Sequence, residues 1–164
     1  MDPKQLTQLI NDAATRHGLP PELVAAMVRV ESTDNPWATR FEPGFYARYV
    51  EKNADVKAVS PCSLDTERRL RATSFGLLQV MGQVARERGF KGAYLTELCD
   101  PATGLDIGCK HLAAFAARFK AAFGWSAVCA AYNGGAGAVK GHNNYTNPEY
   151  PAKVLRALGG TWPV

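Results

Sequence analysis

Residues 101–120, PATGLDIGCKHLAAFAARFK, carry apolar side chains at Leu105, Cys109, Leu112, Phe115 and Phe119. Steps of four and three residues return to one face of an α-helix, whereas a half-buried strand needs a step of two. Asp100 and Pro101 open the stretch, and proline suits the first position of a helix because its φ is already set. A helix this long with one apolar face must be covered by other elements, so the rest of the chain has to supply packing partners.

The partners it offers are mostly helical. Residues 3–17 form an amphipathic helix, with Asp2 and Pro3 as cap and first position and Gly18 as its stop. LPPELVAAMVRVES starts a second helix after Pro20-Pro21 and stops before Asn35-Pro36. A tight turn at Gly76 leads into a short helix that ends at Gly89. GWSAVCAAYNGG predicts a further helix, capped by Ser126 and stopped by Asn133-Gly134-Gly135. Residues 141–148 read as a polar loop, and 149–158 as a last helix. Residues 37–75 differ. They gather Trp37, Phe41, Phe45, Tyr46 and Tyr49 before the charged stretch DTERRLRAT, with short helices near 43–52 and 64–72. Strand signals are almost absent, and there is no repeat, low-complexity tract or linker. The expectation is a mostly α fold, one domain over 1–164, with an inserted lobe at 37–75 that packs on the core. At 164 residues the chain is long enough for such a core.

Several function classes fall away. The net charge of +4 fits contact with an anionic polymer or surface but is too weak to argue for nucleic acid, and no nucleic-acid motif is present. No apolar run reaches the roughly 18 residues a membrane span needs. MDPKQLTQLI has no apolar core of a signal peptide, so accumulation in the cytoplasm of the producing cell is expected, as a monomer. Cys62, Cys99, Cys109 and Cys129 form no C-x-x-C pair and no ligand spacing with His17, His111 or His142, so neither a metal nor another cofactor is expected. Cys109 and Cys129 fall in apolar helical patterns and read as reduced core residues, with a Cys99–Cys109 bridge as the alternative. The histidines have no triad context and read as bland.

Glu31 is the residue that resists a plain reading. With Val24 at zero and about 100° per residue, Met27 falls at about 300°, Val28 at about 40° and Glu31 at about 340°. Glu31 therefore shares the apolar face, while Arg29 and Glu22 lie opposite. Desolvation without a counter-charge favours the protonated form of a carboxyl group, and a carboxylic acid that keeps its proton near neutral pH can donate it. The plain alternative is a helix-end glutamate that turns into water or bonds a backbone amide.

Four short motifs then occur in order: Glu-Ser at 31–32, GLLQVM at 76–81, AYNGG at 131–135 and EYPAKVL at 149–155. Together with ESTDNP and LPPEL, this resembles the lytic transglycosylases with a lysozyme-like SLT domain, across most of the chain. The resemblance implies that Glu31 is the catalytic acid and that Ser32 helps orient the site. It implies that Gln79 lines the sugar cleft, with Met81 beside it, and that Tyr132 and Asn133 face the substrate. Tyr150 matches a tyrosine whose hydroxyl lies near the acid. The implied substrate is the glycan strand of peptidoglycan, cut between N-acetylmuramic acid and N-acetylglucosamine. Ignoring the resemblance, the plain alternatives are a core tyrosine for Tyr132 and a helix stop for Gly134-Gly135.

The departures are in the middle. Glu31 and Gly76 stand further apart than is usual in that family, and Leu78 replaces the common Met. The extra segment carries Glu42, Glu51, Asp55, Asp65 and Glu67. One of them, Glu42 first, is a candidate second carboxylate that would activate water and make the enzyme a hydrolysing muramidase, as in goose-type lysozymes. The aromatics there offer a sugar-stacking wall instead. A chain of this kind resembles a phage endolysin, held in the host cytoplasm and released to the wall at lysis, or else a virion-borne enzyme. A wall-binding module without catalysis would be expected to have lost the acid, and Glu31 is present.

Overall fold

Two groups of elements, each with its own core, make up the computed structural model, which describes residues 1–59 and 61–164; Ser60, within the 37–75 segment, lies outside them. The first unit comprises Met1–Thr33 and Cys109–Val164, the second Asp34–Gly108.

The first unit begins with α1 (Pro3–Arg16), where the Asp2 side chain accepts from the Lys4 amide and Pro3 occupies the first turn. Helix α2 (Pro21–Ser32) follows and buries Leu23, Val24, Met27 and Val28 on one face. The long helix α6 (Pro101–Gly134) spans the division between the units, and the residues expected on its buried face, Leu105, Cys109, Leu112, Phe115 and Phe119, are all buried. It is interrupted at Gly124, whose φ is 74°. The break falls at Gly124 rather than at the predicted cap, Ser126. Trp125 and Ala127 are already buried just after the break. The predicted polar loop at 141–148 is in part a hairpin, β4 (Val139–Gly141) paired antiparallel with β5 (Asn144–Tyr145). Helix α7 (Glu149–Ala157) then packs on α2, as α1 does.

The second unit holds what the sequence did not signal, a three-stranded antiparallel sheet in the order β1 (Thr39–Phe41), β2 (Thr73–Phe75), β3 (Val80–Met81). Thr39 pairs with Phe75 and Ser74 with Met81. Strands of two or three residues are too short to show alternation, so no period betrays them. Between β1 and β2 lie α3 (Pro43–Phe45), continued by one π-helical turn at Tyr46–Val50, and α4 (Leu64–Arg71), close to the two short helices expected. Val50, Val56 and Ala72 form a small core there, with Phe45 and Tyr46 packed on it. Helix α5 (Gly82–Glu87) and a 3-10 turn at Leu95–Cys99 complete the unit. The compact unit thus extends well past the predicted lobe at 37–75.

The turn from β2 to β3 explains one glycine. Gly76 has φ 72°, and a Cβ there would meet the Leu98 carbonyl oxygen at 2.5 Å. Both the conformation and the close approach exclude a side chain.

Glu67 supplies the unit with a closed ionic knot. Its carboxylate is fully buried and accepts from Arg71 Nε at 2.9 Å and from Arg86 Nε at 2.9 Å. Arg86 also donates to the carbonyls of Phe90 and Gly92, so the knot ties α4, α5 and the following loop. Burial alone would raise the Glu67 pKa, but the hydrogen bonds and charges of Arg86 and Arg71 outweigh it and hold the carboxyl below its usual range.

Candidate active site

Glu31 occupies the last turn of α2, half-buried beside Met27 and Val28, with Arg29 and Glu22 exposed on the other side. The helix stops two residues later because Thr33 and Asp34 take left-handed φ values of 53° and 62°. A helix C-terminus is the negative pole of the backbone dipoles, the wrong end for an anion. The carboxylate therefore needs donors from elsewhere in the fold. Tyr150 is one of them, its hydroxyl donating to Glu31 Oε1 at 2.5 Å. Tyr150 sits in the first turn of α7, is 8% exposed, and is delivered by the packing of α7 on α2. This bond crosses a large separation in the chain, and its donor is a neutral phenol rather than a counter-charge.

The last turns of α6 bring a second tyrosine into the field of Glu31. Burial pushes the Tyr132 phenol well above its usual pKa, and Glu31 and Cys109 add to the shift. The Tyr150 phenol is raised by burial first, then by the Glu31 charge and by its hydrogen bond to Glu31. The Cys129 thiol is also raised, by burial and then by Glu31. Both phenols thus hold their protons at neutral pH and act as donors.

Ser32 is buried, and its hydroxyl donates back along α2 to the Val28 carbonyl at 3.1 Å. Asn133 is exposed, and its Oδ1 accepts from Asn147 Nδ2 at 2.8 Å. The same nitrogen donates to the Ala130 carbonyl at 3.2 Å. Sequence reasoning missed Asn147, which is hidden among the polar residues of GHNNYTNP and belongs to no period. It also read His111 as bland. The His111 ring lies 5.3 Å from Tyr132 and 4.7 Å from Phe115, and its i, i+4 spacing to Phe115 was the available signal.

The other predicted residues belong to the second unit. Gln79 holds φ 47°, rare outside glycine, and its Nε2 donates to the carbonyls of Ala38 and Gly76, both at 2.9 Å. Met81 is half-buried at the end of β3, opposite Ser74. Glu42 pairs with Arg40 Nε at 2.5 Å, and Asp65 pairs with Arg69. The aromatics expected as a wall make two ring contacts, Phe41 with Tyr46 at 5.7 Å and Phe45 with Tyr49 at 5.0 Å, and Trp37 is 74% exposed. Among the described residues no three His, Cys, Asp or Glu side chains gather as metal ligands would, and no helix is long and apolar enough to cross a membrane.

The family model for the transglycosylase SLT domain matches residues 8–154 of this chain. The chain belongs to the transglycosylase SLT domain family. All four motifs, from Glu31-Ser32 to Tyr150, lie inside the matched range. Over 61 residues the chain is 39% identical to the endolysin of Enterobacteria phage PRD1, a stretch covering 33% of this chain and 41% of that protein. The crystal structure of an inactive mutant of the lytic transglycosylase Slt from Pseudomonas aeruginosa superposes with a TM-score of 0.62 at 17% identity, over 95% of this chain and 25% of Slt. That likeness establishes the lysozyme-like fold. The chain spans less than half of the endolysin and about a quarter of Slt.

Proposed function

We propose that this chain is a lytic transglycosylase that cuts peptidoglycan between N-acetylmuramic acid and N-acetylglucosamine, and that it serves lysis of a bacterial host by a phage. The observation that carries the reading is the Tyr150–Glu31 hydrogen bond within an SLT-family fold. The endolysin relative supports the setting, in which the protein collects in the host cell and reaches the wall after release.

Glu31 gives its proton to the glycosidic oxygen as the bond from the anomeric carbon to that oxygen breaks. The N-acetyl group of the substrate supports the cationic centre. The C6 hydroxyl of the muramyl residue then attacks the anomeric carbon, and the Glu31 carboxylate takes its proton, closing a 1,6-anhydro ring. Proximity replaces an external nucleophile, so one carboxyl group suffices where most glycosidases use two. Tyr150 orients the carboxyl through both steps. Within the first unit Ser32, Tyr132 and Asn133 serve as glycan contacts, and within the second Gln79 and Met81 do. The ion pairs of Glu42, Asp65 and Glu67 support the one-carboxylate reading over hydrolysis, since each of these acids already has a cationic partner.

Mass spectrometry of fragments released from purified peptidoglycan tests this. Products ending in 1,6-anhydro-N-acetylmuramic acid are expected. Reducing ends would mean that water is the acceptor, and binding without release would mean a wall-binding module.

A further inference from the structure

We propose that Asn147 is a positioning residue that fixes which end of the Asn133 side-chain amide faces outward, so that Asn133 meets the glycan as a hydrogen-bond donor. This rests on the proposed function above. A backbone carbonyl only accepts, so the Ala130 oxygen at 3.2 Å obliges Asn147 to turn its NH2 group toward α6. The second proton of that group reaches Asn133 at 2.8 Å. Asn133 must then offer its oxygen inward, and its own NH2 is left for the exposed side. The two ends of an asparagine amide have nearly the same shape, so a partner of fixed polarity has to choose between them.

Two further features single out Asn147. A Cβ on Gly134 would lie 3.0 Å from Asn147 Nδ2 and 2.8 Å from the Ala138 Cβ, so the bare glycine is what lets the amide in. The Asn147 Oδ1 is buried with no hydrogen-bond partner among the described residues. A buried acceptor left unpaired is costly, so the side chain is held for its NH2 end. The Asn147 carbonyl separately accepts from the Tyr150 amide at 3.2 Å, a backbone bond that side-chain substitution leaves in place.

Asn147→Asp keeps the shape but offers only acceptors. It faces the Ala130 carbonyl with like charge and draws the Asn133 NH2 inward, which turns an acceptor toward the glycan. With soluble peptidoglycan strands, kcat/KM is expected to fall by about tenfold. In an Asn133→Ala background the same substitution should cost less than about twofold, because its route of action is already gone. Equal losses in both backgrounds would overturn the proposal, since a purely structural role is additive. Side-chain amide exchange in the unaltered protein, read by NMR, gives an answer independent of turnover and of whether a variant folds. Slow exchange at Asn147 with fast exchange at Asn133 is expected, and equally fast exchange at both would refute it. If the unaltered protein releases nothing from peptidoglycan, the functional reading fails while the exchange experiment still reports on Asn147.

Discussion

At the scale of single residues, the site depends on a carboxyl group held where helix electrostatics oppose it. The Tyr150 hydroxyl meets Glu31 at 2.5 Å. Tyr150→Phe should therefore leave glycan binding near normal and lower kcat by roughly 10- to 100-fold, the cost of letting the acid wander from its working geometry. Steady-state rates on soluble strands would check it. The Tyr132 and Tyr150 phenols also predict a pH dependence of stability. Tyr132 and Tyr150 hold their protons more tightly folded than unfolded, through burial first and the Glu31 charge second. A group of this kind contributes stability that is complete below about pH 10 and is lost as the pH rises further. Melting temperature should fall on the alkaline side of that value, less steeply in Tyr150→Phe.

Elements are joined by features that tolerate little change. Glu67 links α4 to α5 through Arg71 and Arg86 with no exposure to solvent. Glu67→Gln leaves two guanidinium groups without their anion and should cost about 3–5 kcal/mol, visible as a lowered urea midpoint. Because the Glu67 pKa is lowered in the fold, its contribution is present above about pH 4.3 and is lost as the pH falls below that. The variant should lack that share of the acid transition. In α6 the break depends on Gly124, whose φ of 74° and ψ of −177° suit glycine alone. No atom of the described residues lies within 4 Å of a Cβ built there, so the cost of Gly124→Ala is all backbone. A loss of about 1–3 kcal/mol is expected from thermal or denaturant unfolding.

For the whole molecule, the decisive separation is between folding and turnover. On the proposed mechanism, Glu31→Gln removes the transferable proton while keeping size and shape. It should lower release of fragments by about 10²- to 10⁴-fold with the melting temperature nearly unchanged. Glycan strands should still bind, which a co-sedimentation assay would show. A loss of binding as well would mean that Glu31 holds the strand rather than cleaving it.

The sequence determined the helices and their buried faces, because an apolar residue every three or four positions is a local signal. Leu105 to Phe119 on α6 and Val24 to Val28 on α2 were legible for that reason. It also located Glu31 on an apolar face, and the four ordered motifs pointed to the family. The tertiary structure alone decided who meets whom. The short strands β1 to β3 carry too few residues to show a period. The break at Gly124, in place of the Ser126 cap, follows a backbone angle that no neighbouring residue announces. The resemblance already implied a Tyr150 hydroxyl near Glu31, but the geometry of that bond, like that of the Asn147–Asn133 bond, comes from helix packing and close backbone approach. Local spacing encodes which face is buried, whereas the partner of a polar group on that face is set only when the faces close.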